Sequence, residues 1–84
     1  MNAILFRKET VIRFLLSSSA LVSVDLEDLQ GHRVAKILEK LNLKAGTHAL
    51  TLSLSKIPKG PYRAIITKEH PRSTQVECLS VHLE

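Results

Sequence analysis

The sequence is short of most of what a buried reaction centre or a metal cage is built from. It has one cysteine, Cys78, so neither an internal disulfide nor a Cys-x-x-Cys metal or redox pair can form. Tryptophan is absent, and aromatics are 4% of the chain: Phe6, Phe14 and Tyr62. The core must therefore be aliphatic. The stacked aromatics with which proteins grip single-stranded nucleic acid are missing as well. No apolar run approaches the roughly 20 residues that a membrane-spanning helix needs. No run of five like charges occurs. Gly31, Gly46 and Gly60 are too widely spaced for a phosphate-cradling loop. Ser17-Ser18-Ser19 lacks the G-x-S-x-G surroundings of a serine nucleophile. His32, His48, His70 and His82 are scattered rather than clustered. The expectation is a chain with no catalytic residue, no metal and no cofactor.

What is present suits one small globular domain over residues 1–84, with 44% hydrophobic and 24% charged residues. A chain of this size buries only about 60–65% of its unfolded surface, which leaves little room for a deep cavity. Twelve Lys and Arg against eight Asp and Glu give a net charge of +4. A basic excess favours acidic partners. The nearest thing to a basic contact surface is Lys56, Lys59, Arg63 and Lys68; elsewhere acids interrupt the bases.

The strongest signal is alternation with a period of two. In Thr10–Leu16, Ile12, Phe14 and Leu16 share a face opposite Val11, Arg13 and Leu15. In Ala20–Asp28, Val22, Val24 and Leu26 alternate with Ser23, Asp25 and Glu27. Thr47–Leu54 sets Leu50, Leu52 and Leu54 against Ala49, Thr51 and Ser53. Tyr62–Lys68 and Gln75–Leu83 follow the same rule, and Asn2–Arg7 is an additional edge strand. Serines 17–19, Gly31, Ala45-Gly46, Pro58–Pro61 and Pro71 punctuate these runs. One segment reads differently: Val34, Ile37, Leu38 and Leu41 fall at i, i+3, i+4, i+7, a helical period.

Several side chains have structural roles in this scheme. Asp28 caps the turn at Gly31. The three glycines mark hairpin or bulge positions. Pro58 and Gly60 build a hard stop, and the Tyr62 hydroxyl bonds to backbone beside it. His48 is partly buried at a strand start, while His32 and His70 lie in solvated turns. Cys78, in an apolar run, is expected to be a buried thiol.

The order of motifs resembles a known family. Val22, Val24, Leu26, Asp28, Gly31 and Val34 are followed by Leu43, Ala45, Gly46 and His48, then by Ile57, Pro58, Gly60 and Tyr62. This sequence of residues resembles the Ig-like domain of flagellar hook-capping proteins. It resembles even more closely the C-terminal sorting domain of type IX secretion cargo proteins. The resemblance covers Thr10 to Leu83. It implies an all-β, immunoglobulin-like antiparallel β-sandwich of about seven strands, with residues 33–41 as a strand. The alternative is an α+β fold with one helix near 33–41. Three departures stand out: Pro61 follows the motif glycine, Met1–Glu9 replaces an Asn-Pro opening, and Glu77 and His82 occupy the stretch where a lysine pair is common.

The function expected is therefore non-catalytic: an accessory or C-terminal sorting and interaction domain of a secreted or surface bacterial protein. The resemblance implies an extracellular or cell-envelope location and a protein partner, either export machinery or neighbouring domains. Two alternatives remain. One is a self-assembling structural subunit of the hook-cap or coat type. The other is a basic module for nucleic acid or acidic glycan.

Overall fold

The structure is a computed structural model and describes residues 4–84. Its elements are β1 (Ile4–Phe6), β2 (Glu9–Leu16), β3 (Ala20–Glu27), β4 (Arg33–Leu43), β5 (Gly46–Ser53), β6 (Gly60–Glu69) and β7 (Thr74–Leu83). They form two layers, a five-stranded sheet in the order β1-β7-β6-β3-β4 and a two-stranded sheet of β2 and β5. This is a seven-stranded, all-β, immunoglobulin-like sandwich. Strands β7, β6 and β3 adjoin in one layer and β2 and β5 face them, the Greek-key arrangement of that fold. Every pairing is antiparallel except β1 with β7, which is parallel. Of the edge strand expected at residues 2–7, Ile4–Phe6 is observed, and Asn2 and Ala3 lie outside the described residues.

Alternation decides which side chains meet between the layers. On β3, Ala20, Val22, Val24 and Leu26 are buried, and on β6 so are Tyr62, Ala64 and Ile66. β7 adds Val81 and Leu83, β1 adds Phe6, and the smaller sheet contributes Leu16 and Leu52, with Leu54 just beyond it. Ile12 and Phe14 pack against this core from β2. Burying a large aliphatic side chain contributes about 1.5–3 kcal/mol, so this list is the main source of stability.

The helical alternative for residues 33–41 is overturned, because Arg33–Leu43 is one strand. The reason is visible in its register. Val22 and Val24, two residues apart on β3, face Leu41 and Leu38, three apart on β4. Further shifts fall between Val24 and Asp25 and between Leu26 and Glu27. Each shift inserts an extra residue into β4, as a bulge does. Lys40 adopts φ of 48° in this stretch, and its N–H donates to Ser23 Oγ at 3.0 Å. A bulged strand thus imitates the i, i+3 spacing of a helix.

Strand β6 starts at Gly60 rather than at Tyr62. Pro61 sits opposite His82 of β7, but pairing with β3 begins only at Arg63. One side of β6 is therefore unpaired at Pro61, where a residue without an N–H is tolerated.

Candidate functional site

The motif residues build turns. The Asp28 carboxylate accepts from the backbone N–H groups of Gln30 and His32, both at 2.9 Å, and its second oxygen lies 3.3 Å from His32 Nδ1. The hydrogen bond from the His32 backbone is the largest influence holding the Asp28 pKa below its ordinary 3.8; the Gln30 N–H and the His32 ring add to it against a small desolvation effect. Gly31, the residue after Gln30 in this turn, has φ of 88°, a region that L side chains avoid. At the turn that carries the chain from β4 in the larger sheet to β5 in the smaller one, Gly46 has φ of 128°. There His48 is half-buried and donates through Nε2 to the Lys44 carbonyl at 2.6 Å, with its ring 5.9 Å from that of Phe14. Ahead of β6, Pro58 and Gly60 turn the chain, and the Tyr62 hydroxyl donates to the Pro58 carbonyl at 2.6 Å. A tyrosine near the start of this strand, bonded a few residues back, is the tyrosine corner of Ig-like sandwiches.

The four bases grouped in the sequence do not share a surface. Along β6, Lys68 has the parity of Tyr62, Ala64 and Ile66, and it points inward with 7% exposure. Arg63 faces the other way and donates to the Leu29 carbonyl at 2.8 Å. Lys56 and Lys59 are exposed in the loop before β6. Period-two geometry splits a cluster that looks continuous in one dimension. The same geometry corrects Cys78. It is exposed, since its parity opposes that of the inward Leu79, Val81 and Leu83.

His70 is tied to the far loop rather than free in solvent: its Nδ1 lies 2.8 Å from Ser18 Oγ and 3.2 Å from the Ser19 carbonyl. The serine triplet and Pro71 marked the two loops, but nothing in the sequence joined them across the fold. Among the described residues, no three His, Cys, Asp or Glu side chains converge on a common point. No helix long and apolar enough to cross a membrane occurs among them.

The feature most suited to recognition is a groove of about 270 Å³ on one side of the sandwich. Thr10 to Phe14 of β2 form one wall and Ile4 to Phe6 of β1 the other. Ile66, Lys68, Glu77 and Leu79 form its floor. The groove exists because the five-stranded sheet extends past the two-stranded one. Lys68 Nζ reaches Glu77 Oε1 at 2.9 Å and lies 5.4 Å from the centre of the Phe14 ring. A buried ammonium is costly unless paired; here a half-exposed carboxylate and an aromatic face both offset its charge. Sequence reading assigned Lys68 to a solvated patch and missed this floor, although the β6 alternation already carried the signal.

No family model matches the chain, and no curated protein matches it. Among solved structures, it is similar to a part of the endo-beta-1,4-mannanase from Thermotoga petrophila, with a TM-score of 0.62 at 16% identity. The likeness covers 100% of this chain and 18% of the mannanase chain, so the chain spans under a fifth of that structure's length. At this identity the likeness is one of fold.

Proposed function

We propose that this chain is a non-catalytic interaction module of a secreted or cell-surface bacterial protein, acting as an accessory or C-terminal sorting domain. The observation that carries the reading is the way its polar and apolar groups are distributed. The space between the layers is filled by aliphatic side chains together with Phe6 and Tyr62, and the one buried charge among the described residues, Lys68, is already paired. What remains for recognition is the outside: free strand edges and the groove beside β2. The likeness to a small part of a much longer enzyme supports the module reading, because this fold there occupies one part of a larger chain. The motif order from Val22 to Tyr62 supports the sorting version. The partner in this reading is a protein, either export machinery or a neighbouring domain, recognised through a folded surface.

The test attaches the whole chain to the C-terminus of a reporter carrying a signal peptide, in a bacterium with a type IX secretion system. Reporter activity in the medium or on the cell surface is expected. A stable reporter held in the periplasm would overturn the sorting version.

A further inference from the structure

We infer that the groove beside β2 is an acceptor slot for an extended segment of a partner protein, one with alternate apolar side chains and acidic flanks. The inference rests on the interaction-module reading above and says where such a partner docks.

Among the described residues, strand β2 is hydrogen-bonded on one side only, to β5, and its eight residues keep an unbroken register from Glu9 to Leu16. Natural edges usually repel a further strand with bulges, proline or inward charges. The other edges carry such devices, lack any code or, at β1, are only three residues long. β4 is bulged and bears Lys36 and Lys40. The part of β7 beyond β1 points Glu77 inward. The exposed face of β5 shows only Thr47, Ala49, Thr51 and Ser53, with no charge to orient a partner. β2 has neither bulge nor proline, and eight residues offer a ladder about 27 Å long.

The surface beneath that edge is apolar and uncovered. Ile4 has the same inward parity as Phe6, yet it is 48% exposed while Phe6 is 3% exposed. The difference is that nothing in the smaller sheet lies over Ile4. Leu79 is only partly buried on the same floor. A strand added to β2 would lie in the layer of β2 and close over these residues. The floor's own ammonium is neutralised at 2.9 Å by Glu77, so the inward side chains of the occupant meet no free charge and are apolar. The rim differs: Arg7, Lys8 and Arg13 are exposed there, against Glu9 and Glu84, the second held beside Arg7 by its N–H bond to the Phe6 carbonyl. That imbalance selects acidic residues at the margins of the incoming segment.

The probe is a soluble carrier protein ending in a glycine–serine linker and a segment of alternating valine and threonine between paired glutamates. A second carrier has lysines in place of the glutamates. The full chain, labelled for backbone NMR, is titrated with each at low salt. The glutamate carrier is expected to bind and to shift the amides of Thr10–Phe14. The lysine carrier is expected to bind at least about tenfold more weakly, a difference of about 1.4 kcal/mol. In the double variant Lys8→Glu, Arg13→Glu, both positions being exposed, that preference reverses. The slot is refuted by failure of both carriers to bind, by equal binding, by a preference that the double variant leaves unchanged, or by shifts confined to β4 or β5. The reporter assay is read separately. A chain that exports its reporter but binds neither carrier keeps the sorting role and loses the slot. One that binds the carrier as described but leaves the reporter in the periplasm keeps the slot and loses the sorting role.

Discussion

Asp28 ties off the turn between β3 and β4 with a single carboxylate that accepts two backbone hydrogen bonds. Its folded pKa is depressed, so its contribution is present above the unfolded value near 3.8 and is lost as pH falls through the lower folded value. Asp28→Ala should therefore lower the urea midpoint at pH 7, and the gap to the parent chain should close below about pH 4, where the parent loses the same charge. A gap that stays constant down to pH 2 would show that the carboxylate's charge is irrelevant to the turn. Tyr62 makes a simpler case. Tyr62→Phe keeps the buried ring and removes the bond to the Pro58 carbonyl, which should cost about 1 kcal/mol in equilibrium unfolding. Both residues were legible in the sequence, since an acid before a glycine turn and a tyrosine after Pro-x-Gly have local chemistry. Lys68 and Cys78 were legible only by parity. Each sits where composition suggests one environment and the count of alternating positions gives the other.

At the scale of elements, the strands with one clean face could be read directly. The buried residues of β3 fall on every second position without exception. β4 could not be read that way, because an edge strand with extra residues opposite its neighbour loses the period of two. A single sequence cannot distinguish that from the period of a helix; the partner strand makes the difference. The groove was illegible for a related reason. It arises from the unequal widths of two sheets, and no local pattern records how many strands each layer holds. The turn that crosses from one sheet to the other does leave a local trace. At Gly46 a Cβ would meet nothing within 4 Å, yet φ is 128°. Gly46→Ala should thus destabilise by backbone strain alone, on the order of 1–3 kcal/mol by thermal or chemical unfolding. Gly46→Asn should recover little, as asparagine favours φ nearer +57° than the extended positive region occupied here. An Ala variant as stable as the parent would mean that the turn relaxes to an ordinary conformation.

For the whole molecule, two layers of unequal size make the small sheet a lid over a larger one. Its contribution depends on the inward face of two strands, and the outward face of the same strands adds almost nothing. Leu52 of β5 is 1% exposed and Leu15 of β2 is 69% exposed, so one sheet holds the same residue type in opposite environments. Leu52→Ala removes buried methyl groups and leaves a cavity, at a cost of about 2–5 kcal/mol. A domain of 84 residues is stable by only roughly 4–12 kcal/mol, so that variant should melt some 10–30 °C lower. Leu15→Ala should change stability by less than about 0.5 kcal/mol. The pair is best measured together by calorimetry on the full chain. Equal losses at both positions would mean that both faces of β2 and β5 are buried, which a two-layer sandwich does not permit.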